Sequence, residues 1–164
     1  MPNVRIIDRP SFNITGRKTY ISGPDNEQFG RFWEQVRAEG LLAIFDQVRK
    51  QSGHFPGPQT GGAMLGVSRV EKDPAKRDFD YMIAIEVPGD FKDGDLEVYQ
   101  VPAARWAVFE CRGKVPEAIV TSEIYAFSQW LPNSGYRHAL APEMEVYLAT
   151  GEEDTCEFWL PVEK

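Results

Sequence analysis

An acid and a phenol alternate with three apolar residues near the C-terminal end of the chain, in the segment Met144–Ala149. Successive side chains of a β-strand point to opposite faces of the sheet. If this segment is a strand, Glu145 and Tyr147 therefore share one face, opposite the three apolar side chains. A carboxylate beside an aromatic ring is a suitable receptor for a cationic, apolar ligand. The alternative is a solvent-facing pair, because Glu is rarely buried.

Three further aromatic side chains are candidates for the same binding site. Trp106 and Tyr81 lie in predicted strands, and Trp33 lies on the first predicted helix. Each is also a natural core residue, because large aromatic side chains dominate protein cores. Two long helices cover only one face of a sheet of about eight strands. We therefore expect the other face to carry Trp106 and Tyr81 with the Glu–Tyr pair as an aromatic groove, since exposed aromatic patches mark binding sites.

The chain contains an internal duplication that predicts its fold. Val4–Pro10 matches Leu96–Pro102 in its apolar positions and its proline without a gap. Each segment is followed by a second strand-like run, a helical pattern and two more strands, although chance similarity of two unrelated halves is the alternative. We predict one α+β domain over residues 1–164, with copy one at about 1–88 and copy two at about 95–164. Its two β-α-β-β copies are expected to give about eight mainly antiparallel strands, helices on one face and a pseudo-two-fold axis.

Both long helical segments carry an apolar stripe at helical spacing. Pro116 is expected to open the second long helix and Pro132 to end it. We expect both stripes to pack on the sheet, so that Phe127→Ala costs roughly 3–5 kcal/mol of stability. The stripe residues are Phe29, Phe32, Trp33 and Val36 in the first copy and Val120, Ile124, Phe127 and Leu131 in the second.

Composition and charge exclude several classes of function. The 164 residues carry a net charge of −7, and no run of Lys or Arg stands out. A nucleic-acid-binding surface is therefore not expected. The N-terminal residues show no apolar region of a signal peptide, and no apolar stretch reaches the ~20 residues of a membrane-spanning helix. We expect a cytoplasmic protein with no membrane partner.

The usual catalytic and metal-binding patterns are missing. The sequence has no glycine-rich dinucleotide motif, no P-loop and no nucleophile elbow. His54 and His138 have no Cys or carboxylate neighbour at ligand spacing, so we expect neither a metal nor a cofactor. Cys111 and Cys156 lie in predicted strands, where Cys is usually a small buried residue. No residue is a confident catalytic candidate.

The sequence resembles the GyrI-like small-molecule-binding family over nearly its whole length. Four segments carry the resemblance, and it is stronger in the second copy. The chain departs from the family pattern at Trp106, where Tyr is usual, and at Ala84, where Gly is frequent. The matching segments are Trp106–Phe109 with Pro102 and Gly113, Trp130–Tyr136, Glu145–Tyr147 with Pro142, and Phe79–Tyr81.

The resemblance implies a function as well as a fold. It implies an SHS2-like duplicated fold with a ligand groove between the copies, in which Glu145 is the buried acid that meets amphipathic, cationic ligands. Tyr147, Trp106, Tyr81 and Trp33 are then the expected ligand-binding aromatics. The family includes effector-binding domains of transcription regulators and stand-alone members, and we expect a stand-alone, non-enzymatic binding module without direct contact to nucleic acid. Two alternatives stay open: a hydrolase of strained, cyclopropane-containing toxins that uses Glu145, and a protein that binds gyrase or a transcription regulator.

Overall fold

The protein is described here by a computed structural model that covers residues 3–71, 73, 77–92, 94–114, 117–148 and 155–164. In this part of the chain the strands are β1 (Val4–Arg9), β2 (Phe12–Ser22), β3 (Met64–Arg69), β4 (Asp78–Val87), β5 (Glu97–Val101), β6 (Ala104–Arg112), β7 (Arg137–His138), β8 (Glu143–Leu148) and β9 (Thr155–Glu163). The helices are α1 (Glu27–Ala38), α2 (Leu41–Gln51), α3 (Glu117–Tyr125) and α4 (Leu131–Ser134), and a π-helical turn, Ala126–Trp130, joins α3 to α4. Within the described ranges, no helix is long and apolar enough to cross a membrane.

The strands form one antiparallel sheet with a symmetric order. The order is β1-β6-β9-β8-β3-β4-β2-β5, and the short strand β7 pairs with β9. The order reads the same from either end when β1–β4 exchange places with β5, β6, β8 and β9. This confirms the predicted α+β fold with a pseudo-two-fold relation, whose axis lies between β3 and β8. The boundaries of the two copies stay a prediction.

All the helices lie on one face of the sheet, as predicted, and each lies over its own half. Phe32 of α1 and Phe45 of α2 pack against Tyr81 and Ile83 of β4. Residues of α3 pack against Phe109 and its neighbours on β6 and β9. The central strands β3 and β8 therefore lie beneath the gap between α1 and α3.

The opposite face of the sheet is also buried, which corrects one prediction. Its core cluster contains Trp106, Met144 and Trp159, and its described members come from strands and from Ala63 just before β3. Strand alternation places Glu145 away from Met144, so Glu145 lies on the helix-covered face and not on an open groove of the other face. The prediction was wrong because strand side chains of the second face pack against one another and bury it, whereas the helices leave a gap on the first face.

The stripe of the first long helix packs largely as predicted. Phe32 and Val36 are buried against the sheet, while Phe29 and Trp33 are half-buried at the edge of the same core. Leu41 begins α2 directly after Gly40, whose φ of 80° is a left-handed value that favours glycine.

The stripe predicted for the second long helix was wrong. Ile119, Ser122 and Ala126 are buried, whereas Val120, Ile124 and Phe127 are exposed. The small Ser and Ala side chains let the helix approach the sheet closely, so the large side chains point into the gap. Leu131 is half-buried at the edge of the same cluster.

Pro132 does not end the second helix. It lies in the first turn of α4, where its missing N–H costs little, and the helix ends at Gly135 with a φ of 79°. Pro116, the predicted start, lies outside the described residues.

Candidate functional site

A cavity of about 800 Å³ lies between α1 and α3, above the central strands. This volume lies in the range of ~300–1,000 Å³ that is typical of small-molecule sites. One helical stripe from each side forms its walls, and β3, β4 and β8 form its floor. The apolar and aromatic lining residues are Phe29, Trp33, Val70, Phe79, Tyr81, Ile119, Val120, Ile124, Phe127 and Tyr147.

The carboxylate of Glu145 lies at the floor of this cavity. Its Oε1 atom accepts hydrogen bonds from the hydroxyl of Tyr81 at 2.6 Å and from the hydroxyl of Tyr147 at 3.0 Å. The Trp33 indole Nε1 donates in turn to the Tyr81 hydroxyl at 3.0 Å. Side chains from α1, β4 and β8 thus fix one carboxylate oxygen. Tyr81 is 1% exposed, so this network is anchored in the core.

Gly66 of β3 leaves the space that this network needs. It faces Glu145 directly across the β3–β8 ladder. A Cβ atom at residue 66 would lie 2.3 Å from Glu145 Oε1 and 2.3 Å from the Tyr81 hydroxyl oxygen, closer than any normal contact. The close approach of acid and phenol therefore requires glycine at this position.

Two other carboxylates share the cavity with Glu145. They are Glu123 of α3 and Glu143 of β8, which both line it. Burial raises the pKa of Glu145 above its ordinary value, and the hydrogen bonds from the two tyrosine hydroxyls oppose that rise. Burial and the charge of Glu145 raise the pKa of Glu123 well above its ordinary value.

Glu143 also contacts a histidine. Its Oε2 atom lies 2.8 Å from His138 Nε2, and this contact, against the cost of burial, raises the pKa of His138. The His138 ring is stacked on Phe127, with ring centroids 6.4 Å apart. In the described ranges, no group of three His, Cys, Asp or Glu side chains has the arrangement of a metal site.

Four of the five predicted ligand-binding residues lie together, and one does not. Glu145, Tyr147, Tyr81 and Trp33 all line the cavity, and the rings of Trp33 and Tyr147 meet edge to face at 5.5 Å. Trp106 is 0% exposed in the core of the opposite face, 5.7 Å from the ring of Trp159. Its placement in the groove was wrong, because alternation along β6 turns it away from the helices.

The contribution of α3 to the cavity was not predicted from the sequence. Val120, Glu123, Ile124 and Phe127 are spaced i, i+3, i+4 and i+7 and form one stripe that lines the cavity. A carboxylate within an apolar helical stripe is a signal of a polar site, because a core stripe excludes unpaired acids. Glu143 gave no comparable signal.

Several solved structures share this fold. SAV2435 bound to tetraphenylphosphonium is 23% identical with a TM-score of 0.77, and the match covers 98% of this chain and 94% of that one. The C-terminal domain of EcmrR is 19% identical with a TM-score of 0.66, covering 100% and 99% of the two chains. A hydrolase from Listeria innocua is 16% identical with a TM-score of 0.56, covering 98% and 91%. At these identities the likeness shows the fold alone.

Sequence comparison supplies the family. No functionally curated protein matches the chain. Residues 2–163 match the GyrI-like small molecule binding domain, which is nearly the whole sequence. The duplicated sheet and the acid-floored cavity agree with that match, and the chain belongs to the GyrI-like family of small-molecule-binding domains.

Proposed function

We propose that this chain binds amphipathic, lipophilic cations in the cavity, with Glu145 as the anion that meets their positive charge. The observation that carries the proposal is a carboxylate at the floor of an aromatic cavity whose hydrogen-bond partners are two tyrosine hydroxyls. Within the described part of the chain, no Lys or Arg forms an ion pair with Glu145. A charge in a partly desolvated site is costly unless it is compensated, and a cationic ligand would compensate it.

The walls of the cavity suit the apolar part of such a ligand. Trp33 and Tyr147 offer ring faces and edges close to the acid, and Phe29 and Phe127 stand on opposite helices. Aromatic faces attract cations, and more strongly when water is excluded. The tetraphenylphosphonium bound to SAV2435, which shares this fold, supports the choice of ligand class.

The proposal is tested by two probes of the same shape and opposite charge. Tetraphenylphosphonium should bind and raise the unfolding temperature, because a ligand that binds only the native state stabilises it. Tetraphenylborate should bind far more weakly, because it brings a negative charge to the Glu145 carboxylate. Isothermal titration calorimetry gives both affinities, and equal affinities would contradict the role of Glu145 as an anionic receptor.

A second candidate function rests on two acids that line the cavity, Glu145 and Glu123. A carboxylate and a second carboxyl group whose pKa is raised by burial have the composition of a general acid–base pair. In hydrolysis of a strained cyclopropane, Glu145 would take a proton from water as the C–O bond forms. Protonated Glu123 would give its proton to the ring carbon that is released as the C–C bond breaks. The overall change is the addition of one water molecule to the substrate.

Mass spectrometry separates the two candidates. Incubation of the protein with cyclopropane-containing electrophiles should return the compounds unchanged if the protein only binds. A product heavier by one water, formed by the wild type and not by Glu145→Gln, would instead favour the hydrolase. Binding to a protein partner, such as gyrase or a transcription regulator, stays a prediction. The same holds for a cytoplasmic location.

A further inference from the structure

We propose that Glu143 is a second cation-binding residue of the cavity and that His138 controls it. While the imidazole is protonated it neutralises Glu143, and when the imidazole is neutral the carboxylate is free to attract a ligand. The inference rests on the proposed function and deepens it, because it makes the strength of cation binding depend on one histidine at the edge of the site.

Both ring nitrogens of His138 face hydrogen-bond acceptors. Nδ1 lies 2.6 Å from the carbonyl oxygen of Ala139, and Nε2 lies 2.8 Å from Oε2 of Glu143. A carbonyl oxygen can only accept, so Nδ1 must carry a hydrogen. The neutral ring then has a bare lone pair at Nε2, which an ionised carboxylate repels. The contact with Glu143 therefore requires one more proton between the two groups, and the pair that holds this proton has no net charge.

The pair lies where a ligand in the cavity would meet it. Glu143 lines the cavity, and its side chain is 17% exposed. Residues two apart on a strand share a face, so Glu143 stands about 7 Å along β8 from Glu145. The His138 ring is stacked on Phe127, which also lines the cavity, with an angle of 14° between the ring planes. The charge of Glu143 therefore acts on a cation that Glu145 holds.

Other charged groups surround the pair on every neighbouring element. Arg137 Nε donates to Glu163 Oε1 at 3.1 Å, and Lys164 Nζ lies 4.4 Å from the ring centroid of Tyr136. These two cations are therefore engaged with groups other than Glu143, and the acids of the cavity favour the protonated form of His138. The surrounding charged residues are Glu145 of β8, Glu123 of α3, Arg137 of β7, Glu163 of β9 and Lys164 after it.

The protonated form of His138 is lost as the pH rises. Burial by itself lowers the pKa of His138, but the Glu143 carboxylate and the Ala139 carbonyl outweigh burial and raise it. The proton therefore leaves above about pH 6.5, the ordinary His value. Its loss adds one negative charge to the cavity wall, so cations should then bind about three- to tenfold more tightly, the effect of one charge partly screened by solvent.

Two substitutions should fix the site in its two opposite states, at about pH 6 and about pH 9, on either side of the His138 titration. His138→Gln leaves Glu143 charged, so it should bind tetraphenylphosphonium about three- to tenfold more tightly than the wild type at the lower pH and equally at the higher. Glu143→Gln has no charge to free, so it should bind equally at the lower pH and about three- to tenfold more weakly at the higher. Any pH dependence from Glu145 or Glu123 is common to all three proteins and cancels in these ratios.

Calorimetric titration of the full-length protein gives these affinities, and tetraphenylphosphonium is a suitable probe because it has no titratable group. His54→Asn is the matched control, since His54 is exposed and does not line the cavity. Its φ of 57° is a left-handed value that Asn tolerates. This variant should match the wild type at both pH values. Tetraphenylphosphonium affinities that equal the wild type in both His138→Gln and Glu143→Gln at both pH values would overturn the inference and leave the proposed function intact.

NMR titration of the two imidazoles of the chain, His54 and His138, tests the pair without a ligand. His138 should titrate above the ordinary His value in the empty wild type and below it in Glu143→Gln, where burial acts without the acid. Bound tetraphenylphosphonium should lower the His138 midpoint in the wild type, because linkage is reciprocal. A His138 midpoint that is the same in Glu143→Gln would overturn the inference even if no cation bound. Absence of cation binding, with the midpoint shifted as expected, would contradict the proposed function and leave the His138–Glu143 pair established.

Discussion

The Glu145 carboxylate is held by neighbours that are neutral and rigid. Tyr81 and Tyr147 bond to the same oxygen, and Trp33 fixes Tyr81 from the helix above. Glu123 of α3 lines the same cavity. A cation bound as proposed would therefore meet an acid whose geometry is set before binding, which reduces the cost of ordering the site.

Removal of the charge of Glu145 should weaken the binding of cations but not that of neutral ligands. Glu145→Gln keeps the shape of the side chain, so affinity for tetraphenylphosphonium should fall by about 1.5–3 kcal/mol, the scale of a charged hydrogen bond. Neutral triphenylphosphine oxide should change little, as calorimetry can show. Tyr147→Phe is the matched control and should cost only about 0.5–1.5 kcal/mol. Equal losses for the two ligands would assign Glu145 a packing role.

Gly66 should tolerate no side chain. Gly66→Ala places a methyl group against Glu145 and Tyr81, so it should cost about 1–3 kcal/mol of unfolding free energy and most of the cation affinity. Gly30 on α1 also lines the cavity, but its added Cβ would meet nothing within 4 Å. Gly30→Ala should therefore stabilise the helix by about 0.5–1 kcal/mol, as urea unfolding can measure. A stable, cation-binding Gly66→Ala variant would show that the network has room to shift.

At the level of elements, α3 has divided its two faces between the sheet and the cavity. Its buried stripe is made of Ile119 with the small residues Ala118 and Ser122, and Ala126 of the following π-helical turn continues it. The large apolar residues Val120 and Ile124 face the gap. The π-helical turn that follows α3 carries Phe127, which keeps this ring at the edge of the cavity.

This division predicts opposite effects for two substitutions on neighbouring stripes. Phe127 is 40% exposed, so Phe127→Ala should cost less than about 1 kcal/mol of stability while it weakens tetraphenylphosphonium binding by about 0.5–2 kcal/mol. Ile119 is 2% exposed, so Ile119→Ala should cost about 2–5 kcal/mol of stability. Thermal unfolding and calorimetry separate the two effects. A large stability loss in Phe127→Ala would restore the core role that the sequence pattern indicates.

For the whole molecule, the two halves are joined by exchanged first strands. β1 of the first half pairs with β6 of the second, and β5 of the second half pairs with β2 of the first. The β3–β8 ladder joins the halves at the centre of the sheet. The cavity lies over this junction, so neither half contains the site by itself.

The exchange predicts that the halves depend on each other for folding. Fragments 1–93 and 94–164 should each lack a cooperative thermal transition, because each leaves strand edges and core residues of both faces uncovered. An equimolar mixture should recover a cooperative transition by circular dichroism and bind tetraphenylphosphonium. A fragment 94–164 that unfolds cooperatively alone would show that the second copy is an independent unit.

Strand alternation and the positions of helix-breaking residues in the sequence determined much of the fold. The period of two placed Glu145 and Tyr147 on one face, and the duplicated Val4–Pro10 and Leu96–Pro102 segments indicated the symmetric sheet. Gly40, with its left-handed φ of 80°, lies at the boundary between α1 and α2. These features are local, because strand and helix geometry alone sets which residues share a side.

Only the tertiary structure decided which face of the sheet and of each helix meets the core and which meets the cavity. Alternation states that Trp106 and Phe109 point to opposite faces, but not which face the helices cover, because that depends on where the connections cross the sheet. Likewise the apolar residues of α3 show a stripe without showing whether sheet or ligand cavity lies beneath it. Glu123 lies in the site because α1 and α3, which belong to different halves, leave a gap over β3 and β8. The periodicity of one segment cannot predict a gap between two helices that are far apart in the sequence.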